Sequence, residues 1–373
     1  MSGTLRRLSW FLSSILPIVA GCAPTISVQV LEPAAVSMPA EIRTLAVVDR
    51  AAAKNVGESI LGTIEAALTG EAILGDREGR SSAMTSLNQT LAQSPRFKVV
   101  MPNLTKEQAE TGIFDKELSW KTAERICKQA ECDAIVALEA FDSDSSVNTR
   151  NVVDSATKAV TWTAQRDTRV LAAWRVYDVK NKVIIDDLRD VSFTRSWDNS
   201  AGTEADARSG LIQQTDTIRA LGGDAGYQYA RRIAPTYVFV SRAYYGSGHE
   251  RLKEAKHYVR ATDWDGAAKI WRQMVERQDD PKVRGKAELN LALYNEVMGD
   301  IPAAVDLAQK AAVDLHNGRS RNYVRILNQR MIDQQRLADQ MKAPEPKAAP
   351  AAAPAPAPST RNQAPKPGTR NQK

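Results

Sequence analysis

The chain has 373 residues, of which 43% are hydrophobic and 25% charged, a composition typical of globular proteins. The formal net charge of +6 comes from the two ends, because residues 1–21 contribute +2 and residues 343–373 contribute +4. The neutral remainder lacks the basic footprint of a nucleic-acid-binding protein, so nucleic acid is excluded as a partner.

The amino-terminal residues have the pattern of a secretory signal. A mostly apolar run follows Arg6 and Arg7, and it is shorter than the about 20 residues of a permanent membrane-spanning helix. The run ends in Val-Ala-Gly-Cys at positions 19–22, which resembles the lipobox of bacterial lipoproteins. The resemblance implies that residues 1–21 are a lipoprotein signal peptide and that the thiol of Cys22 is diacylglycerylated.

A lipid-modified Cys22 would anchor the mature chain to a membrane of the cell envelope. Two or three acyl chains hold a protein durably, because each buried methylene contributes about 0.8 kcal/mol. In the sorting pattern of lipoproteins, the small Ala23 after the cysteine favours the outer membrane, with the chain facing the periplasm. The alternative is an ordinary secreted protein whose signal ends near a cysteine.

Residues 22–39 are predicted to form a leader, and residues 40–246 an α/β domain. The first half of this domain alternates strands and helices, which favours a sheet with packed helices. The second half is typical of a long antiparallel meander. The predicted strands cover 26–31, 43–50, 97–100, 134–138, 159–165, 169–178, 183–195 and 237–240, and the predicted helices include 59–68, 80–93, 205–221 and 226–233. The expected fold is therefore a mixed sheet of the α+β or α/β class.

Cys127 and Cys132 are the two cysteines after Cys22, and they lie where a predicted helix leads into a strand. In an oxidising envelope such a pair can form a disulfide, and two half-buried small apolar residues are an equally good interpretation. We expect no metal site, because the three histidines are not at ligand spacing from the cysteines. We also expect no cofactor and no catalytic residues, because no phosphate-binding loop, nucleophile elbow or zinc-protease motif is present.

A polar, glycine-rich stretch over residues 68–80 is predicted to be a loop between two helices. Glu71, Asp76, Arg77 and Arg80 are its candidate binding residues. Ion pairs within the loop and helix capping are the alternative explanation. Residues 142–146, with two aspartates, are interpreted as a solvated loop rather than a calcium site.

Residues 247–341 have a helical period throughout. Two turns, at 262–267 and 299–304, are 37 residues apart, near the 34-residue period of tetratricopeptide repeats. The residues around them also resemble that family over about 65 residues. Helix 322–341 or the α/β domain is expected to complete the stack. The matching small and apolar positions are Ala267, Trp271 and Met274 in the first unit and Ala304, Ala308 and Ala311 in the second.

The carboxy-terminal segment, residues 342–373, alternates alanine and proline and carries scattered basic residues. Such a composition cannot bury a core, so a disordered basic tail is predicted.

Residues 22–341 together resemble a family of uncharacterised bacterial envelope lipoproteins. The resemblance is carried by the strand at 42–50, by the stretch 68–80 leading to 94–97, and by repeats after 244–246. The α/β part is also distantly similar to the small domain of the curli-secretion lipoprotein and to the amino-terminal domain of the Tol-system periplasmic protein. These resemblances imply no enzymatic activity. The lipid at Cys22 and the concave surface formed by stacked repeats favour a lipid-anchored scaffold that binds an envelope protein or peptide.

Two alternatives stay open at this point. The chain is a subunit of an oligomeric secretion or assembly machine, or it is an enzyme acting on the cell wall through acidic residues such as Glu71 and Asp76. The enzyme is the weaker of the two, since no nucleophile, base and orienting group can be assembled from the sequence. Neither the partner nor the oligomeric state is predicted.

Overall fold

A computed structural model describes residues 23–51, 70–111, 116–277 and 280–343. The predicted signal with Cys22, the helix predicted at 59–68 and almost all of the predicted tail lie outside this part of the chain. The described strands are β1 (Thr25–Glu32), β2 (Thr44–Asp49), β3 (Lys98–Val100), β4 (Ala134–Val153), β5 (Val160–Asp178), β6 (Val183–Ala201) and β7 (Thr236–Ala243). The described helices are α1 (Gly70–Ala92), α2 (Trp120–Ala130), α3 (Glu204–Ser209), α4 (Gln214–Ile233), α5 (Glu250–Arg260), α6 (Trp264–Arg277), α7 (Pro281–Met298), α8 (Ile301–Leu315) and α9 (Gly318–Met341).

The main sheet has the strand order β3-β2-β4-β5-β6. β2 is parallel to both β3 and β4, whereas β4, β5 and β6 form an antiparallel meander. A helical region of α5–α9 follows the sheet. The predicted class, a mixed sheet with packed helices, a meander and a helical carboxy-terminal region, is confirmed.

The two faces of the sheet are covered by different helices because side chains alternate along its strands. Leu45 and Val47 of β2 pack in one apolar cluster with α1 and α4. Ala46 and Val48 of the same strand pack in a second cluster with α2. β2 thus lies between two helical layers, as in doubly wound α/β folds.

The meander strands are longer than the sequence predicted. Residues 142–146, interpreted as a loop, are part of β4 and pair with β5, for example Asp142 with Leu171 and Ser146 with Asp167. The separate strands predicted at 159–165 and 169–178 form one strand, β5. Polar side chains interrupt the apolar pattern of a strand, whereas the backbone hydrogen bonds of a long hairpin continue past them.

α1 and α4 approach each other closely through glycines. A Cβ at Gly222 would collide with the backbone of Gly79, and one at Gly226 would collide with the carbonyl group of Ala83. The prediction of a glycine-rich loop over 68–80 is therefore wrong for residues 70–80, which are helical. The glycines there allow close packing of two helices rather than sharp turns. α4 likewise continues through the break predicted at 222–225.

The helical region shares its core with a two-stranded antiparallel ribbon of β1 and β7. Val28 and Val30 of the ribbon belong to the same buried cluster as Leu252, Trp271 and Leu327 of the helices. The sequence left open whether the last helix or the α/β domain completes the helical stack. α9 and the ribbon both contribute side chains to this cluster.

Two sets of polar contacts tie the ribbon and the leader to the helices. The Glu296 carboxylate in α7 accepts hydrogen bonds from Arg242 of β7, Tyr323 of α9 and Arg330 of α9. The side-chain amide of Gln340 exchanges two 2.9 Å hydrogen bonds with the backbone of Ala34, which lies between β1 and β2. The carboxy-terminal helix therefore contacts chain that is about 300 residues earlier in the sequence.

The end of α2 is closed by a disulfide. The Sγ atoms of Cys127 and Cys132 are 1.93 Å apart, and the N–H of Cys132 donates to the carbonyl group of Cys127. Glu131 between them has φ 52°, the left-handed conformation that ends many helices. Over the described residues, no helix combines the length and apolarity needed to cross a membrane.

Candidate functional site

A cleft of about 390 Å³ lies at the carboxyl end of the parallel strands β2 and β3. In open α/β sheets, ligands bind outside the carboxyl ends of the strands, where helices leave toward opposite faces. Asp49 at the end of β2, Arg77 and Arg80 of α1, and Met101 after β3 line this cleft. We call it the carboxyl-end cleft.

An ion pair forms one wall of the carboxyl-end cleft. Arg80 Nε lies 3.1 Å from Asp49 Oδ2, and its Nη1 donates to the carbonyl group of Ala51 at 2.7 Å. Burial raises the pKa of Asp49, and the opposing effects of Arg80 and the Ala51 N–H do not cancel this shift. Arg77 is exposed at the rim of the cleft. The cleft thus presents one guanidinium group to solvent and a second that is already paired.

A buried charge cluster lies beside the cleft, directly where the parallel pairing of β2 with β4 ends. Arg50 follows β2, and Glu139 occupies an irregularity in the pairing of β4 with β5. Their side chains, 2% and 1% exposed, form a salt bridge. Tyr177 donates a 2.6 Å hydrogen bond to the same carboxylate, and Arg175 lies 3.9 Å from it. We call these four residues the Glu139 cluster.

The Glu139 cluster also holds the segment before α2 in place. Arg50 donates to the carbonyl groups of Ala109, Glu110 and Lys116. Burial and the neighbouring Glu139 raise the pKa of Tyr177 to about 12, so its hydroxyl stays protonated as a donor. The cluster is a buried support beside the cleft, and every side chain in it is almost inaccessible to water.

The structure places the four predicted binding residues on α1. Arg77 and Arg80 line the carboxyl-end cleft, whereas Asp76 accepts a hydrogen bond from Ser143 of β4. Glu71 lies in the first turn of the helix, and its side chain is outside the described residues. A binding role for these residues stays a prediction.

Sequence reasoning missed Asp49, Arg50 and Glu139. The signal for the first two was available, because an acidic and a basic residue directly follow a buried strand. Glu139 gave no signal, since it follows the apolar run 134–138 and is buried only through its partners across the sheet. Within the described ranges, no group of three or more His, Cys, Asp and Glu side chains is arranged to hold a metal ion.

A second candidate surface lies on the helical region, where α5 and α7 both contact the first turn of α6. Tyr294 of α7 donates a 2.7 Å hydrogen bond to Asp265 of α6. The guanidinium carbon of Arg272 lies 5.2 Å from the centre of the Tyr294 ring. Tyr258 of α5 packs beside Gly266 and is 38% exposed. We call Tyr258, Asp265, Arg272 and Tyr294 the tyrosine patch.

Comparisons with known proteins assign families but no activity. Residues 42–245, more than half of the chain, match a family model described as a domain of unknown function, DUF8603. Residues 253–329 match a second domain of unknown function, DUF6340. No curated protein matches the sequence. Among solved structures, the hypothetical protein CT253 from Chlamydia trachomatis is similar with 9% identity and a TM-score of 0.21, covering 50% of this chain and 96% of that chain.

Proposed function

Because the chain belongs to the DUF8603 family, whose function is not known, we propose its function from its own residues: a lipid-anchored scaffold of the cell envelope that binds a protein or peptide. The anchor is Cys22, with acyl chains in a membrane of the envelope and the chain facing the periplasm. The binding surface is the tyrosine patch. No chemical step is part of the proposal.

The tyrosine patch is the observation that carries the proposal. Tyrosine and arginine are enriched at protein interfaces, because a rigid ring or a planar guanidinium buries much area at a small entropic cost. Here two tyrosines and an arginine come from three helices. Tyr294 is held by Asp265 and Arg272, and Tyr258 packs beside Gly266, the residue after Asp265. A surface ordered in this way loses little freedom when a partner binds. Stacked helix pairs of tetratricopeptide type present peptide-binding surfaces of this kind.

Site-specific photo-crosslinking in the native envelope tests the binding surface. A benzophenone side chain is placed at position 258 in the tyrosine patch and, as the matched control, at position 227 in α4, where Tyr227 is 37% exposed. We expect a crosslinked species of defined mass from position 258 and none from position 227. Identical patterns from both positions would contradict the proposed surface.

The anchor is tested separately by the intact mass of the chain purified from membranes. We expect a mature protein that begins at Cys22 and carries the mass of two or three acyl chains. A chain cleaved elsewhere and free of lipid would remove the anchor from the proposal and leave the binding surface to be judged by crosslinking.

We also keep a second candidate, a subunit of an oligomeric assembly. It is favoured by β6, a 19-residue strand at the edge of the main sheet, which a second copy could extend by strand pairing. Light scattering of the detergent-solubilised chain tests it, with a mass of two or more copies expected. A monomer at high concentration would contradict self-association.

A further inference from the structure

The described part of the chain begins next to the proposed anchor. Cys22 is two residues before Pro24, and two residues span at most about 7 Å. The carbonyl group of Pro24 accepts a 3.0 Å hydrogen bond from the N–H of Tyr244, at the end of β7. The segment 244–248 is therefore held beside the position from which the acyl chains would enter a membrane.

Tyr245 is fixed in this segment by polar contacts on its backbone and side chain. Asn290 of α7 exchanges two 2.8 Å hydrogen bonds with the backbone of Tyr245. The side chain of Asn317 donates to the tyrosine hydroxyl at 3.2 Å. Tyrosine is a residue favoured at the level of lipid headgroups, because it combines an apolar ring with a polar tip.

Three cations surround Tyr245 and the turn that follows it. The Lys286 ammonium lies 5.9 Å, and the Arg319 guanidinium carbon 4.7 Å, from the centre of the Tyr245 ring. A Cβ at Gly246 would lie 3.0 Å from Lys256 Cδ and 3.0 Å from Pro24 Cγ, so Gly246 lies between this lysine and Pro24.

Glycines in the turn at 246–248 allow Lys256 and Lys286 to lie close to its backbone. A Cβ at Gly248, which has φ 87°, would lie only 2.7 Å from Lys286 Nζ. In the part of the chain that the structure describes, none of Lys256, Lys286 and Arg319 forms a salt bridge with a carboxylate. Among the described residues, therefore, no directly paired carboxylate neutralises their positive charge.

We propose that Lys256, Lys286 and Arg319 form a juxtamembrane site for the phosphate of anionic lipid headgroups. The proposal rests on the anchoring of Cys22 proposed above, since the acyl chains bring this surface to the membrane. Attraction between cations and an anionic membrane acts within about a Debye length, roughly 8 Å at physiological ionic strength. Because the three cations lie around Tyr245 and the turn after it, acyl chains on Cys22 would bring all three within this distance of the headgroups. The site would orient the scaffold on the bilayer.

The experiment uses the full chain purified from its own envelope, in detergent or in vesicles. One set of vesicles contains phosphatidylcholine alone and the other equal parts of phosphatidylcholine and phosphatidylglycerol. A membrane-impermeant amine reagent labels lysines, and mass spectrometry of the peptides gives the rate at each position. Lys121 of α2, which is exposed, is the matched control lysine.

We expect phosphatidylglycerol to slow the labelling of Lys256 and Lys286 about fivefold or more, because each cation near an anionic surface contributes about that factor in affinity. Lys121 should be labelled at the same rate in both vesicles, and high salt should abolish the difference. The variant R319Q should weaken the protection of Lys286 while leaving Lys121 unchanged.

Three outcomes would overturn the site. The first is equal labelling of both lysines in the two kinds of vesicle, and the second is slowing of Lys121 to the same degree. The third is equal protection by inorganic phosphate in detergent, which would indicate a free-phosphate site. The intact mass of the chain separates the headgroup site from the anchor. An acylated chain whose lysines are not protected from labelling refutes the headgroup site alone. An unacylated chain that is still protected refutes the anchor alone.

Discussion

Two regions of this protein bury the same kind of charge cluster in different surroundings. In the main sheet, Glu139 is held by two arginines and a tyrosine, and in the helical region Glu296 is held in the same way by Arg242, Arg330 and Tyr323. The side chains of Arg50 and Arg175 around Glu139 are 1–2% exposed, whereas those of Arg242 and Arg330 are 10% and 17% exposed.

The difference in exposure decides how the arginines of each cluster are solvated. The Glu139 cluster is enclosed between neighbouring strands, so its charges are stabilised by one another and by nearby polar groups, such as Asp187 beside Arg175, rather than by water. The Glu296 cluster joins the ribbon to two helices, and its arginines keep some access to water. Each cluster has a carboxylate that accepts from a tyrosine, and the pKa of Tyr323, like that of Tyr177, is raised by burial and by the adjacent carboxylate. Depth of burial, rather than composition, distinguishes the clusters.

Removing the deeper carboxylate should give the largest effect. In Glu139→Ala, Arg50 and Arg175 lose their shared carboxylate in a site that is almost inaccessible to water, and we expect the free energy of unfolding to fall by about 3–5 kcal/mol. Chemical denaturation of the variant measures this loss. A loss of less than about 1 kcal/mol would mean that water enters the sheet and solvates the arginines.

The equivalent change in the helical region should cost less. In Glu296→Ala we expect a loss of about 2–3 kcal/mol, because Arg242 and Arg330 can turn toward water. The same denaturation measurement compares the two variants directly. If Glu296→Ala proves more destabilising than Glu139→Ala, the exposure of the partner arginines does not decide how much unfolding free energy is lost.

The contact between α1 and α4 gives a smaller, steric test that involves no charge. In Gly226→Ala the new Cβ would collide with the Ala83 carbonyl group, and we expect a loss of about 1–3 kcal/mol from overpacking. Gly223→Ala in the same helix is the control, since its Cβ would lie 3.2 Å from Ser82 Oγ and alanine favours a helix by about 1 kcal/mol. A stabilised Gly226→Ala would contradict the close approach of the two helices.

The smallest effect is expected from a carboxylate held by hydroxyl groups instead of arginines. Burial alone would raise the pKa of Glu110, but hydrogen bonds from Ser119 and Thr122 outweigh it and lower the pKa to about 2. A depressed pKa stabilises the fold above the unfolded value near 4.5, and this contribution disappears as the pH falls toward 2. The stability difference between wild type and Glu110→Gln should therefore shrink over that interval. A pH-independent difference would contradict the shift.

Much of the fold was predictable because its signals are local. The strand at 43–50 and the pattern of helices after residue 249 depend on neighbouring residues, and they correspond to β2 and α5–α9. Arg77 and Arg80 were also identified as neighbours in a polar stretch. The cleft that these two arginines share could not be predicted, because its other walls come from the ends of β2 and β3.

The errors arose where partners that are distant in the sequence decide the local structure. Residues 70–80 are rich in glycine and polar side chains, which lowers their helix propensity, and yet they form the start of α1 against α4. The strand β4 continues beyond residue 138 because the backbone of β5 pairs with residues 140–153 of β4. In both places, tertiary contacts outweigh local preference.

The sequence by itself determined the neutral charge of the body, the class of the fold and the expectation of a lipid anchor at Cys22, because these depend on composition and on residues adjacent in the chain. Only the tertiary structure decided which charges are buried together, as in the Glu139 and Glu296 clusters, and which cations gather around Tyr245. Burial and electrostatic contact act through space, so residues far apart in the sequence acquire their chemistry when the chain folds.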